Sequence, residues 1–182
     1  FSSVAALQSD EWNDIFRLRQ RLNTEQENLI RSTESFANDY LVNRLKKDYA
    51  HEITETGARQ VIHEMGKLGA LGPTINTHDC LGVDAKTYGW MAKAIESVDS
   101  GYRSAFSVQS SLVMYPISIF GSDKQKNKYL PELASGRMVG CFGLTEPDHG
   151  SDPGSMSTKA VKDGDSYILN GQKCWITNGG FA

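Results

Sequence analysis

The chain has 182 residues, of which 39% are hydrophobic and 23% charged, and its formal net charge is −3 at pH 7. This length suits one large domain or two small ones with a real apolar core. The weak negative charge argues against nucleic acid or an anionic membrane surface as a partner, and no run approaches the roughly 18 apolar residues that span a bilayer.

The N-terminal part of the chain begins without a pattern and then becomes helical. Residues 1–22 show no clean periodicity and are expected to form a loose arm. Thr24 and Glu27 have the spacing of a capping box, with Thr24 as the N-cap. Apolar residues then recur with a period of 3.6 as far as Leu45, which predicts an amphipathic helix of about six turns.

Two more helices are predicted before residue 100. Apolar residues between 58 and 68 mark the second helix. It is expected to stop at Gly69 or Gly72, because Pro73 cannot continue it. Asp84 has the position of an N-cap for the third helix.

Residues 100–120 form a fourth, mostly apolar segment, which predicts a helix buried among the others. Pro116 is expected to kink this helix or end it, and Gly121 closes it. Ser122 and Gln125 then have the spacing of a capping box that opens a fifth helix.

After Gly136, which is expected to end the fifth helix, the hydrophobic period changes to two. Short strands are predicted over residues 139–144, 155–161, 167–169 and 174–177. A hairpin turn is expected at residues 163–165. The sequence therefore predicts an α+β protein, with an all-α domain over residues 1–136 and a β domain that begins at residue 137.

The reactive side chains do not indicate a metal site. The three cysteines are widely spaced in the chain: Cys80, Cys141 and Cys174. The four histidines have no partner at ligand spacing. This usage fits a reducing compartment and predicts no bound metal.

The most informative stretch is residues 141–157, where an apolar strand runs into a loop rich in glycine, proline and serine. The prolines and glycines exclude a helix and leave many backbone N–H groups exposed. Such donors, with nearby hydroxyls and without the lysine of a P-loop, suit a flat, polar, partly anionic ligand. Taken alone, a loop of this kind is more often only a turn.

The complete string resembles the flavin-binding signature of acyl-CoA dehydrogenases. Gly-Leu-Thr-Glu-Pro at 143–147, Gly-Ser-Asp at 150–152 and Asn-Gly-Gln-Lys-Cys-Trp-Ile-Thr-Asn at 170–178 match in order and spacing. Val-Asp-Ser-Gly-Tyr-Arg-Ser at 98–104 is similar to the glutaryl-CoA dehydrogenase branch. The resemblance, from about residue 22 to the last residue, implies a helical bundle followed by a partial β-barrel domain. The family's C-terminal helical domain is expected to lie outside this chain.

The resemblance implies FAD as the cofactor and assigns nine residues to it: Phe142, Gly143, Leu144, Thr145, Gly150, Ser151, Trp175, Ile176 and Thr177. Backbone N–H groups of residues 142–145 are expected along the ring. Trp175 is expected to stack beside the flavin, and the Thr177 hydroxyl to bond its N5. A strand here puts Trp175 and Thr177 on one face. The side chains of Phe142 and Leu144 are equally consistent with plain strand core.

The resemblance also implies a substrate site formed by Glu96, Arg103, Ser104 and Ser151. Arg103 lies in a mostly apolar helix, where an unpaired guanidinium is costly. Its structural alternatives are to extend to the surface or to pair with Asp99, and its functional alternative is to grip the distal carboxylate of a dicarboxylic acyl chain. Glu96 shares the face of Arg103 if the helix is continuous.

The implied reaction is the oxidative decarboxylation of glutaryl-CoA to crotonyl-CoA and carbon dioxide, with electrons passed to electron-transfer flavoprotein. The resemblance further implies a homotetramer, in the mitochondrial matrix or in a bacterial cytoplasm. No catalytic residue is assigned within this chain, because the base is expected in the C-terminal domain, so residues 1–182 alone are expected to be inactive. The alternatives are a non-decarboxylating short-chain acyl-CoA dehydrogenase and a truncated, non-catalytic binding protein.

Overall fold

The computed structural model describes Asp14, residues 16–50 and residues 54–182. The α-helices are α1 (Thr24–Phe36), α2 (Val42–Ala50), α3 (Glu55–Lys67), α4 (Ala85–Glu96), α5 (Ser100–Ser107), α6 (Tyr115–Phe120) and α7 (Asp123–Ala134), and the strands are β1 (Lys159–Asp163) and β2 (Ser166–Asn170). Helices followed by a small sheet confirm the α+β class. Most of the arm expected over residues 1–22 lies outside the described residues.

The long amphipathic helix is confirmed, because a π-helical turn joins α1 and α2 without a break. Its capping box, however, was predicted one residue too late. Asn23 is the N-cap, and its side chain and that of Gln26 each accept the other's backbone N–H at 2.9 Å. Both candidate pairs have the required spacing, but the Glu27 carboxylate is bound to Arg19 at 3.0 Å instead.

The second helix ends, and the third begins, where the predicted boundary residues indicate. After α3, Gly69 and Gly72 both have φ angles in the left-handed region, +73° and +63°. A Cβ on Gly72 would also lie 2.4 Å from Cε of Met114, so a side chain at position 72 would collide with Met114. Asp84 caps α4 by accepting the Thr87 N–H at 2.9 Å.

The fourth helical segment runs from α5 through a π-helical turn, Val108–Met114, into α6. It does not end at Pro116, which lies in the first turn of α6, and Gly121 follows the last helical residue. The N–H of Tyr115 bonds to the carbonyl of Ser110, five residues earlier. A wider turn directly before a proline accommodates the hydrogen bond that proline cannot donate.

Helices α4 and α5 are separate, so the continuous helix considered for Glu96 and Arg103 is not present. Asp99 is the N-cap of α5, and its Oδ1 accepts the N–H groups of Gly101 and Tyr102. The chain therefore turns between the two helices.

One apolar core lies between the helices. Its largest fully buried hydrophobic side chains are Phe106, Ile30, Leu41, Ile62, Met65, Leu71, Met91, Ile95, Met114 and Leu130. Gly136, with φ of +67°, follows α7 and lets the chain pass against α3, because a Cβ there would lie 2.5 Å from the Ile62 carbonyl oxygen. No described helix is both long and apolar enough to cross a membrane.

The β part contains one antiparallel hairpin, in which Lys159 lies opposite Asn170 and Asp163 opposite Ser166. The predicted turn is confirmed, with Gly164 at φ +57°. The predicted strands over residues 139–144 and 174–177 are wrong. Residues 139–144 pair with no strand in the described structure, and the second segment contains a left-handed residue.

Candidate functional site

Two irregular segments lie side by side beyond the end of α7. The backbone of residues 139–145 follows α7, and residues 173–178 return alongside it after the hairpin. Cys174 N donates to Thr145 O at 3.0 Å, and Lys173 Nζ donates to Leu144 O at 2.8 Å. These contacts bring together two of the sequence motifs assigned to the flavin.

The first segment exposes both apolar side chains and backbone donors. Phe142 and Leu144 are exposed, which excludes plain core packing for them within the described structure. The N–H groups of residues 141–145 donate no hydrogen bond to any described residue. An apolar surface beside open N–H groups can contact both the face and the acceptor edge of a planar heterocycle.

The second segment is a turn rather than a strand. Trp175 has φ of +57° and is 92% exposed. Ile176 O accepts the Gly179 N–H at 2.9 Å, which closes a tight turn around Thr177. The prediction that Trp175 and Thr177 share one face of a strand is therefore wrong, because residues 174–177 form no strand. Both residues nevertheless lie next to the first segment.

Gly150 and Ser151 lie on the exposed loop between Glu146 and the hairpin. A Cβ on Gly150 would meet no atom within 4 Å, so only open space surrounds it. Ser151 is exposed. The structure places Gly150 and Ser151 in the loop that follows residues 139–145. Neither residue contacts Arg103.

Glu146 is the site residue that sequence reasoning missed. Its side chain is only 2% exposed and forms an ion pair with Lys173 at 2.9 Å. Oε2 accepts both the N–H and the hydroxyl of Ser157 at 2.8 Å, and Oε1 accepts the Thr158 N–H at 3.0 Å. Glu146 therefore fastens both ends of the loop to the second segment.

These donors also determine the charge of Glu146. Hydrogen bonds from Thr158 and Lys173, followed by those from Ser157, hold the pKa of Glu146 well below its usual range against the opposing effect of burial. A carboxylate held as an anion by several donors is a poor proton acceptor. Glu146 and Lys173 both belong to motifs that are recognisable in the sequence. The sequence did not indicate that the two side chains would be buried against one another.

Arg103 and Glu96 meet although they belong to different helices. Arg103 Nε donates to Glu96 Oε2 at 2.5 Å, and the two side chains are 38% and 46% exposed. Arg103 Nη1 lies 3.5 Å from Ser107 Oγ. Ser104, the residue that follows Arg103 in the sequence, is half-buried. The guanidinium is therefore paired and partly open to solvent.

A buried polar network holds the start of α5, next to Arg103. The Tyr102 hydroxyl donates to Asp48 Oδ2 at 2.7 Å, and Arg44 pairs with Asp48 Oδ1 at the same distance. Burial, together with the Asp48 hydrogen bond and charge, raises the pKa of Tyr102. The network ties α2 to α5 and was not predicted from the sequence.

The residues around the two segments fit FAD by their chemistry. Open N–H groups and the Thr145 and Thr177 side chains offer donors to ring acceptors, and the exposed Trp175 offers an aromatic face. In the part of the chain that the structure describes, no group of three or more possible metal ligands occurs. The donor set is that of an organic ligand with many acceptors.

Comparison with known proteins identifies the family. The domain description "Acyl-CoA dehydrogenase, N-terminal domain" matches residues 23–137, and "Acyl-CoA dehydrogenase, middle domain" matches residues 141–182. The chain therefore belongs to the acyl-CoA dehydrogenase family.

Similar proteins include short-chain specific acyl-CoA dehydrogenases and other members of the family. The mitochondrial short-chain specific acyl-CoA dehydrogenase of Rattus norvegicus is 34% identical over 182 residues, covering 95% of this chain and 42% of that protein. The probable acyl-CoA dehydrogenase YngJ of Bacillus subtilis strain 168 is 40% identical over 141 residues, which is 74% of this chain and 36% of that protein.

Solved structures of similar fold include glutaryl-CoA dehydrogenases. One from Mycobacterium smegmatis, in complex with FADH2, has a TM-score of 0.83 and 40% identity and covers 94% of this chain and 43% of that chain. A glutaryl-coenzyme A dehydrogenase in complex with glutaryl-CoA has a TM-score of 0.80 and 31% identity, covering 88% of this chain and 41% of that chain. This chain thus spans well under half the length of these relatives.

Proposed function

We propose that this chain forms part of an FAD-dependent acyl-CoA dehydrogenase that oxidatively decarboxylates glutaryl-CoA to crotonyl-CoA and carbon dioxide. The observation that carries the proposal is a partly open guanidinium, Arg103, whose carboxylate partner Glu96 comes from a neighbouring helix. The family relationship supports an acyl-CoA substrate, and the 40% identical glutaryl-CoA dehydrogenase structure supports glutaryl-CoA in particular.

The flavin-assigned residues have distinct roles in this proposal. Bound FAD supplies the hydride acceptor for the β hydrogen of the acyl chain. Open N–H groups of residues 142–145 would hold the acceptor atoms of the flavin ring and favour its reduced, anionic form. The Trp175 side chain would shield one side of the site from water, and the Thr177 hydroxyl would donate to a ring nitrogen. Gly150 and Ser151 lie on the loop toward the pyrophosphate and the acyl-CoA.

Arg103 binds and orients the distal carboxylate of the substrate. A planar guanidinium suits bidentate binding of a carboxylate, which fixes the length of the acyl chain as well as its charge. Glu96 holds the guanidinium in place, and Ser104 adds a hydroxyl nearby. After α,β-oxidation, loss of the distal carboxylate as carbon dioxide leaves electrons that delocalise into the thioester, and one proton then completes crotonyl-CoA.

The base that removes the α proton is not assigned to this chain. Glu146 is held as an anion by four donors, and Glu96 is paired with Arg103. A polypeptide of residues 1–182 is accordingly expected to reduce no dye in the presence of FAD and glutaryl-CoA. Turnover equal to that of an established glutaryl-CoA dehydrogenase would place the base within these residues.

The substrate assignment is tested by comparing glutaryl-CoA with butyryl-CoA in the protein that contains this chain. Arg103→Met is expected to lower kcat/KM for glutaryl-CoA at least about tenfold, because a charge-assisted pair contributes on the order of 2 kcal/mol. FAD content and butyryl-CoA turnover are expected to change little.

Arg137→Met is a matched control, because Arg137 also pairs with a glutamate, Glu132, at 2.7 Å, but on an exposed surface. It is expected to leave both substrates unaffected. If Arg103→Met retains wild-type kinetics with glutaryl-CoA, Arg103 has a structural role and does not bind the substrate carboxylate.

A second candidate is a short-chain acyl-CoA dehydrogenase that does not decarboxylate. In this second candidate the Arg103–Glu96 ion pair is structural, because a guanidinium that already has a partner needs no substrate carboxylate. The short-chain relative from Rattus norvegicus supports the same reading. Release of carbon dioxide from carboxyl-labelled glutaryl-CoA separates the two functions.

The remaining features of the proposal concern organisation. We propose that residues 1–136 form the helical domain and that residue 137 begins the flavin- and substrate-binding domain. Electrons pass to electron-transfer flavoprotein, and the enzyme is a homotetramer of the mitochondrial matrix or of a bacterial cytoplasm. Reduction of purified electron-transfer flavoprotein and light scattering of the native protein test the partner and the assembly.

A further inference from the structure

Gln109 is a fully buried polar residue in the π-helical turn, and it connects three parts of the chain. Its Nε2 donates to Leu133 O at 3.0 Å and to Met138 O at 2.9 Å. Its Oε1 accepts the Gly140 N–H at 2.9 Å. Buried side-chain amides with every donor and the acceptor satisfied hold their neighbours in one arrangement.

The same turn contacts the flavin-assigned segment a second time. Gly140 lies so close to Val113 that a Cβ on Gly140 would be 2.4 Å from Val113 Cγ1. A glycine is therefore required at this point by the approach of a side chain, not by a special backbone angle. Gln109 and Val113 together fix residue 140 against the turn.

From Gly140 the linkage continues to the second flavin-assigned segment. The Asn178 side chain is buried and donates to Gly140 O at 3.2 Å. Gly140 is thus held by Gln109 on its N–H side and by Asn178 on its carbonyl side. The turn around Thr177 and the segment of Phe142 are therefore both attached to Gly140.

The other end of the linkage is the carboxylate-binding residue. Arg103 lies six residues before Gln109, in α5, and α5 runs into the π-helical turn without a break. Any shift of residue 140 relative to Gln109 therefore changes the distance between Arg103 and the flavin-assigned segments.

We propose that Gln109 is a positioning residue, which sets the separation between the Arg103 guanidinium and the hydride-accepting ring. The inference rests on the proposed function. A dicarboxylic acyl chain is held at Arg103 and must also present its β carbon to the ring, so its reaction depends on this separation. A monocarboxylic chain such as butyryl is held at one end only, and its reaction depends on the separation less.

The first test compares Gln109→Met with wild type in the protein that contains this chain. Methionine fills a similar volume but loses all three hydrogen bonds. Amide hydrogen exchange at Gly140, whose N–H donates to Gln109, is expected to accelerate in peptides that contain this residue, while exchange in α3 stays unchanged. Flavin reduction by glutaryl-CoA is expected to slow roughly tenfold to a hundredfold, and reduction by butyryl-CoA to slow less.

Ile30→Ala serves as the stability control, since Ile30 is fully buried in α1 and loses packing without touching the linkage. It is expected to lower Tm without changing the flavin reduction rate at a temperature where both variants are folded. An unchanged exchange rate at Gly140 in Gln109→Met, or an equal loss with both substrates, would overturn the proposal.

A second variant covers the case in which Gln109→Met does not fold. Gly140→Ala pushes the segment away from Val113, and it is expected to reproduce the preferential loss with glutaryl-CoA. Adding Val113→Ala removes the colliding methyl groups and is expected to restore the rate. Failure of this rescue counts against the proposal.

The outcomes also separate this inference from the proposed function. If the wild-type protein reduces no flavin with either substrate, the proposed function fails. The exchange of the residue 140 amide in the Gln109 and Gly140 variants, measured without substrate, still decides whether Gln109 holds the segment.

Discussion

Tyr102→Phe removes a single oxygen atom from the helical domain, yet it is expected to destabilise the protein substantially. The Tyr102 hydroxyl donates to Asp48 Oδ2 at 2.7 Å. The Asp48 side chain is only 5% exposed, and Arg44 reaches its other oxygen. Phenylalanine preserves the packing of the ring, so the substitution isolates this hydrogen bond.

The magnitude follows from the charge and burial of the acceptor. In the variant, Asp48 Oδ2 has no other hydrogen-bond donor among the described residues. A hydrogen bond to a buried charged group contributes about 1.5–3 kcal/mol, so the free energy of unfolding is expected to fall by that amount.

Tyr88→Phe is the matched control, because the Tyr88 hydroxyl bonds the exposed Ser111 hydroxyl at 2.9 Å. A neutral, exposed hydrogen bond contributes at most about 1 kcal/mol. Urea unfolding followed by circular dichroism measures both variants. Equal losses for Tyr102→Phe and Tyr88→Phe would refute the argument that the buried carboxylate makes the difference.

The same pair predicts a pH dependence. Burial and the Asp48 hydrogen bond raise the pKa of Tyr102 above its ordinary value, so its contribution is complete below about pH 10 and is lost at higher pH. Burial opposes ionisation of Asp48, but hydrogen bonds from Arg44 and Tyr102 outweigh it and lower the pKa of Asp48. That contribution is present above about pH 4 and is lost as pH falls. The stability difference between wild type and Tyr102→Phe is therefore expected to narrow at both extremes.

Four further substitutions test the site and the fold. Thr177→Ala is expected to keep the fold but to raise the barrier to flavin reduction by roughly 1–3 kcal/mol, and an unchanged single-turnover rate would remove Thr177 from the site. Glu146→Gln leaves Lys173 without its charge partner and is expected to release FAD more readily, measured by the fluorescence of free flavin; retention equal to wild type would contradict the role of the ion pair. Asn23→Ala is expected to lower the free energy of unfolding by about 1 kcal/mol and Thr24→Ala by much less, and the reverse order would restore the original capping box.

The helical part of the fold was largely predictable because its signals are local. Helix ends depend on residues within one turn, so Asp84, Gly69 and Gly121 marked boundaries that the structure confirms. The misplaced capping box shows the limit. Asn23 and Thr24 each begin a pair with capping-box spacing, and in the structure Glu27, the partner predicted for Thr24, binds Arg19.

The β part was predicted less well, because a strand exists only when a partner pairs with it. Alternating residues around Trp175 satisfied the strand pattern, but the chain turns there with a positive φ. Residues 166–170 formed a strand because the adjacent residues 159–163 are joined to them by a tight turn. In a hairpin, the pairing strand is adjacent in the sequence. An alternating segment without such a neighbour has no strand to pair with.

The sequence by itself determined most helical boundaries, the hairpin turn and the motifs that identify the family, since each depends on neighbouring residues. Only the tertiary structure decided which distant groups meet. Glu146 reaches Lys173, 27 residues later, and Gln109 reaches Gly140, 31 residues later. Burial gives these contacts their effect, because a buried carboxylate or amide must find every partner inside the protein. The hydrophobic periodicity of a sequence does not indicate which backbone groups will remain in the interior to bind such a side chain.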